Sequence, residues 1–142
     1  MAAPRLNRII FILALLGVVL AIYVLQSFIR QAPIVCLNSG CELVRKHPAS
    51  YLWGIPVPAF GLVGYSLLAA LAFLRTVLSP SGARRALQWM MGIATFGLCF
   101  VLWFTYTELF IIHAICTWCA ISAINMAAVF ALTLKSITLK QA

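Results

Sequence analysis

Apolar residues fill this chain in four long runs, each bounded by charged side chains. Uncharged stretches cover residues 9–29, 47–74, 86–107 and 109–134. Each exceeds the ~20 residues that an α-helix needs to cross ~30 Å of hydrocarbon. The second run opens on HPASYLWGIPVP, rich in turn formers and proline. Its helix is therefore expected to start near Pro56 or Pro58, because proline is tolerated in a first helical turn. The pattern predicts an all-α membrane protein, a four-transmembrane-helix bundle forming a single domain over residues 1–142. The helices are expected at about 9–29, 57–78, 86–106 and 109–134, with a long outward loop between the first and second. The first run has the basic start of a signal peptide (Arg5, Arg8). Its apolar stretch is too long for one and no small-x-small cleavage site follows, so it reads as an uncleaved helix.

Composition agrees: 65% of residues are hydrophobic and 8% charged. The net charge of +8 arises from ten Lys and Arg against two acids, Glu42 and Glu108. A nucleic-acid partner would require a clustered basic face. Here the positives are short punctuation between apolar runs and act as topology signals. Arg5, Arg8, Arg75, Arg84, Arg85, Lys135 and Lys140 fall on one side of the membrane; Arg30, Arg45 and Lys46 fall on the other. The positive-inside rule then puts both termini in the cytoplasm and the 31–55 loop outside. In a bacterium that outer side of the inner membrane is oxidising.

Five cysteines change the picture further: Cys36, Cys41, Cys99, Cys116 and Cys119. Cys36 and Cys41 lie in the outward loop, separated by the turn-forming Asn38, Ser39 and Gly40. Cys116 and Cys119 lie early in the fourth run. If that helix enters near Leu109 or Phe110, Cys116 sits about 9 Å below its start at ~1.5 Å per residue. Residues three apart share a helix face. Near a helix N-terminus the backbone N–H groups stabilise a thiolate and make exchange fast. An apolar wall beside the sulfurs admits a lipid-soluble oxidant. A quinone takes two electrons and two protons, which is what a dithiol gives up in becoming a disulfide. The loop of ~25 residues is longer than a plain connection needs, and its dithiol can collect electrons from a soluble protein and deliver them to the buried pair. The competing readings are a non-enzymatic membrane subunit with structural disulfides, for which a Cys116–Cys119 ring is too small to stabilise much, or a zinc site. Cys99 reads as a packed apolar side chain.

A spaced pair in the first outward loop, then SYLWGIPVPAFGLVGYSLLA, then ICTWCAIS in the last helix, stand here in order. This arrangement resembles the bacterial homologues of vitamin K epoxide reductase, and the likeness covers roughly residues 36–125. Another family of quinone-linked membrane thiol oxidases carries its C-x-x-C first and the wider pair second, the reverse of this chain. The resemblance implies a thiol:quinone oxidoreductase that supports disulfide bond formation, with ubiquinone or menaquinone as acceptor and no metal. It implies that Cys119 meets the quinone, that Cys116 is its disulfide partner, and that Cys36 and Cys41 form a shuttle pair. Many bacterial relatives carry a fused thioredoxin-like domain. This chain reads as a stand-alone form, so a separate extracytoplasmic thioredoxin-fold oxidoreductase is the expected partner. Animal members have tyrosine four residues after the second motif cysteine, where this chain has Ala123, which weakens the case for vitamin K epoxide as substrate.

Trp53, Phe60, Tyr65 and Trp118 are candidates for the quinone pocket wall, though interfacial aromatics usually anchor helices. Ser122 and Asn125 are polar groups inside the last run, suited to a neighbouring helix or a quinone carbonyl. Gly54 and the prolines are expected to make a sharp turn. Gly61 and Gly64 are expected to allow close helix packing. Glu108 and His113 are expected in the solvated interface, with the alternative that His113, three residues before Cys116, shares its face or helps move a proton.

Overall fold

The computed structural model describes residues 2–30, 48, 51–52, 54–113 and 117–141. Four helices carry it: α1 (Ala2–Arg30), α2 (Val57–Val77), α3 (Pro80–Thr107) and α4 (Thr117–Gln141). Each contains a segment long and apolar enough to cross a membrane, so the chain is a multi-pass membrane protein. α1 packs on α2 and α4, and α3 packs on the same two, which closes a ring of four. Two short strands, β1 (Tyr51–Leu52) and β2 (Ile55–Pro56), precede α2 as an antiparallel hairpin. Gly54 turns it at φ 79°, a left-handed conformation that glycine adopts without a Cβ penalty. The Tyr51 ring lies 5.7 Å from that of Phe28, which docks the hairpin on the end of α1.

The helix boundaries differ from the charge punctuation in two places. α3 starts at Pro80 rather than near residue 86. Ser79 caps it, accepting from the Gly82 N–H, and Pro80 occupies the first turn. Arg84 and Arg85 are tolerated within the helix because both are exposed at its end. The second difference reaches the site: Glu108 does not sit in a turn between helices. Residues Glu108–Ile112 continue α3 as a π-helical turn, ended by His113 in the left-handed conformation (φ 63°). The apolar residues after Glu108 therefore finish the third helix and do not begin the fourth.

The core runs along the inner stripes of the helices, through Ile10, Ala14, Leu68, Ala72, Met90, Ala94 and Val129. The outward surface is equally apolar, with Phe73, Leu102 and Ile124 exposed as a lipid-facing layer should be. Cys99 belongs to that outer surface. This corrects its reading as a packed side chain: Met90, Ala94 and Met126 hold the inner register, and Cys99 falls on the other side of α3. Polar groups surrounded by hydrocarbon need internal partners. Asn7 donates to the Ala72 carbonyl at 3.0 Å and accepts from Arg75 Nη1 at 2.8 Å, tying the start of α1 to the end of α2.

Gly17 and Gly97 are close-approach glycines, facing Tyr65 and Met126, whereas Gly61 and Gly64 are not. A Cβ at Gly17 would collide with the Tyr65 ring, whereas one at Gly61 or Gly64 would meet nothing within 4 Å. Gly17→Ala is expected to lower the thermal midpoint in detergent, at a cost of about 1–3 kcal/mol from overpacking. Gly61→Ala is expected to leave the midpoint unchanged. Equal midpoints for the two variants, followed by tryptophan fluorescence, would contradict the close contact at Gly17.

Candidate active site

α4 restarts the chain beyond His113, and Cys119 occupies its first described turn. There Cys119 is half-buried and packs, with Trp118 and Ile112, against Val57 at the start of α2 and Phe104 near the end of α3. Two helix ends from neighbouring members of the ring thus converge on one sulfur-bearing turn. The Trp118 ring reaches across to Tyr23 of α1 at 5.1 Å, so all four helices meet at this level.

A cavity of about 910 Å³ opens below, and Cys119 is on its wall. That volume is of the size that holds a small organic ligand, roughly 300–1,000 Å³. The wall is mostly apolar, with Phe60, Phe96 and Phe100 prominent, and few polar side chains interrupt it. Gly61, Gly64 and Gly92 all line it, so their missing side chains widen the space instead of tightening a helix contact. The cavity extends along α3 from Glu108 back to Gln88 and Trp89.

Tyr65 forms the wall between cavity and core. Its hydroxyl donates to the Ser122 carbonyl at 2.9 Å and lies 3.3 Å from Ser122 Oγ. Ser122 follows Cys119 by three residues, so the two share a helix face. Fixing Ser122 therefore fixes the direction in which Cys119 points.

Of the residues singled out from the sequence, Phe60, Tyr65, Trp118, Ser122 and Cys119 come together on this wall. Asn125 stands outside it: its side chain is buried and donates to the Leu13 carbonyl of α1 at 3.0 Å. Its amide serves helix packing. Cys36, Cys41, Trp53 and Cys116 lie outside the described residues. Two polar wall residues went unnoticed in the sequence, Gln88 and Thr105, and a third, Glu108, was expected elsewhere. Glu108 is 3% exposed and buried, and not solvated at an interface as expected. Its signal was present, since a lone acid within the apolar stretch 86–134 is costly unless it has a function.

Four membrane-length helices surround an apolar, ligand-sized cavity with a cysteine on its wall, and the chain is an integral-membrane protein. The chain matches the vitamin K epoxide reductase family over residues 8–134 and belongs to that family. It is accordingly an oxidoreductase of the quinone-linked thiol class.

Tyr65→Phe is expected to cost about 0.5–1.5 kcal/mol, the worth of one hydrogen bond. It is also expected to change the rate at which a lipid-soluble maleimide labels Cys119, because α4 loses its tie to α2. Cys99→Ala, on the outer surface, is expected to leave both stability and turnover at wild-type values. A large loss in Cys99→Ala would show that this surface takes part in the site.

Proposed function

We propose that the protein is a thiol:quinone oxidoreductase of a bacterial inner membrane, with both termini cytoplasmic and the cysteine pairs on the outward face. The observation that carries the reading is the position of Cys119, on the wall of an apolar cavity rather than in solvent. A quinone head group is flat, apolar on its faces and polar only at two carbonyl oxygens. The aromatic wall and its few polar side chains suit that chemistry, and the cavity's length along α3 suits the polyprenyl tail of ubiquinone or menaquinone. A quinone held there supplies an acceptor for two electrons and two protons.

The chain's own residues divide the work. Cys36 and Cys41 exchange with the dithiol of a separate thioredoxin-fold protein, taking its two electrons and leaving it oxidised. One of the pair then attacks Cys116, transferring the electrons to the Cys116–Cys119 pair through a transient mixed disulfide. As Cys119 and Cys116 re-form their S–S bond, two electrons and two protons pass to the acceptor. Phe60, Trp118 and Trp53 flank the head group, Tyr65 and Ser122 set the register of α4, and the apolar wall keeps bulk thiols from the sulfur. Membrane lipid delivers the quinone.

Cys119→Ala is expected to abolish quinol formation by the purified protein supplied with a reduced thioredoxin-fold partner. Cys36 and Cys41 in that variant should still exchange with the partner, as read by thiol labelling. Full turnover in Cys119→Ala would refute the assignment. Labelling unchanged by reductant or quinone would instead favour structural disulfides, and metal released by a chelator would favour zinc.

A further inference from the structure

Reducing a quinone inside an apolar cavity moves protons as well as electrons, and one side chain on the wall is suited to carry them. We propose that Glu108 is the proton-transferring carboxyl of this site, exchanging a proton with the bound quinone and with the cysteine pair. The inference rests on the thiol:quinone reading above and adds to it a residue outside the cysteine relay.

Three observations support it. Glu108 is buried, 3% exposed, yet lines the same cavity as Cys119. An ionisable residue within a membrane span is expensive, and it faces an internal cavity here in the way such functional groups do. Secondly, the titratable side chains on the cavity wall are few among the described residues. α2 presents Tyr65, whose hydroxyl is engaged with Ser122; α4 presents Cys119; α3 presents Glu108 at its end; α1 presents only Leu20, Ala21 and Val24. Glu108 is the wall's carboxyl. Thirdly, the backbone departs from α-helix at this residue. The π-helical turn starts on Glu108, its carbonyl accepts the His113 N–H, and its own N–H is shared between Phe104 and Thr105 carbonyls. Such turns recur at functional sites. His113, where the turn ends, is exposed, so one π-helical turn leads from the buried Glu108 to an exposed residue.

The balance is simple. Two thiols yield one disulfide, two electrons and two protons; one quinone takes both pairs and becomes a quinol. Glu108 gives its proton to a quinone oxygen as the electrons arrive and recovers one released by the cysteine pair. It ends each turnover in its starting state, so no net proton is consumed by the protein.

The test uses the full chain in lipid nanodiscs, with a short-tailed ubiquinone analogue as acceptor and dithiothreitol as reductant. Glu108→Gln, which keeps size and hydrogen bonding but cannot exchange a proton, is expected to slow quinol formation by on the order of 10²-fold. The residual rate should lose the pH dependence of the wild type, and Glu108→Asp should restore part of both. Infrared difference spectra on adding the quinone should show a carboxyl band in the wild type that is missing in Glu108→Gln. Cysteine labelling and thermal midpoint should stay at wild-type values. A wild-type rate and pH profile in Glu108→Gln would overturn the proposal. So would an unchanged carboxyl band, or a slow variant that keeps the wild-type pH profile, which marks a structural role. Failure of the wild type to reduce the quinone would instead remove the underlying reading.

Discussion

The ring of Tyr65 is the contact on which the rest of this bundle depends. It is all but fully buried, rests where Gly17 leaves room on α1, and reaches across the ring to bond Ser122 of α4. α2 and α4 are opposite members of that ring, so this bond joins helices that otherwise share few contacts. A single hydrogen bond in a membrane bundle is worth only about 0.6–1.7 kcal/mol. Its importance lies in geometry. Ser122 and Cys119 are three residues apart on one face, so the orientation that satisfies Tyr65 also turns Cys119 toward the cavity. The same ring separates the close-packed core from the open space beyond it.

That division explains how a stable bundle can hold a large cavity. Asn7, Arg75 and the Ile10–Leu68–Met90–Val129 core secure the terminal end, where small residues such as Ala14, Ala72 and Ala94 let helices approach. At the hairpin end the sequence does the opposite: Gly61, Gly64 and Gly92 leave space, and aromatic side chains line it. The cysteine-bearing turn of α4 closes this looser end. The cavity and Cys119 thus share the end of the bundle opposite the close-packed core.

The number of spanning helices was legible because hydrocarbon imposes a minimum length, and four apolar runs met it. The prolines before α2 and the glycine turn at Gly54 were legible for similar local reasons. Failures came where charge was used as punctuation. Glu108 marked a helix boundary in the sequence, but the fold buries it in a π-helical turn against the cavity, so the fourth helix begins later than expected. Arg84 and Arg85 hid the true start of α3, which Ser79 and Pro80 announced. Gly61 and Gly64 looked like packing glycines; whether a glycine faces a helix or an opening depends on tertiary placement, which spacing alone does not give. Phe60, Trp118 and Ser122, candidates for the wall in the sequence, line the cavity, while Asn125 bonds the Leu13 carbonyl of α1. Which neighbour a polar side chain within a span meets depends on the register of α4 against α1 and α2, which spacing alone does not give.

The central claim is that a quinone sits in this cavity with its head group against Cys119. Photo-crosslinking tests it most directly, using a quinone with a photoreactive head group in lipid nanodiscs and mapping the adducts by mass spectrometry. Label is expected at the hairpin end, on the turn holding Trp118, Cys119 and Ser122 and on Phe60 facing it, and to be competed away by unlabelled quinone. Label confined to the lipid-facing surface around Cys99 and Ile124, or spread without competition, would contradict the account.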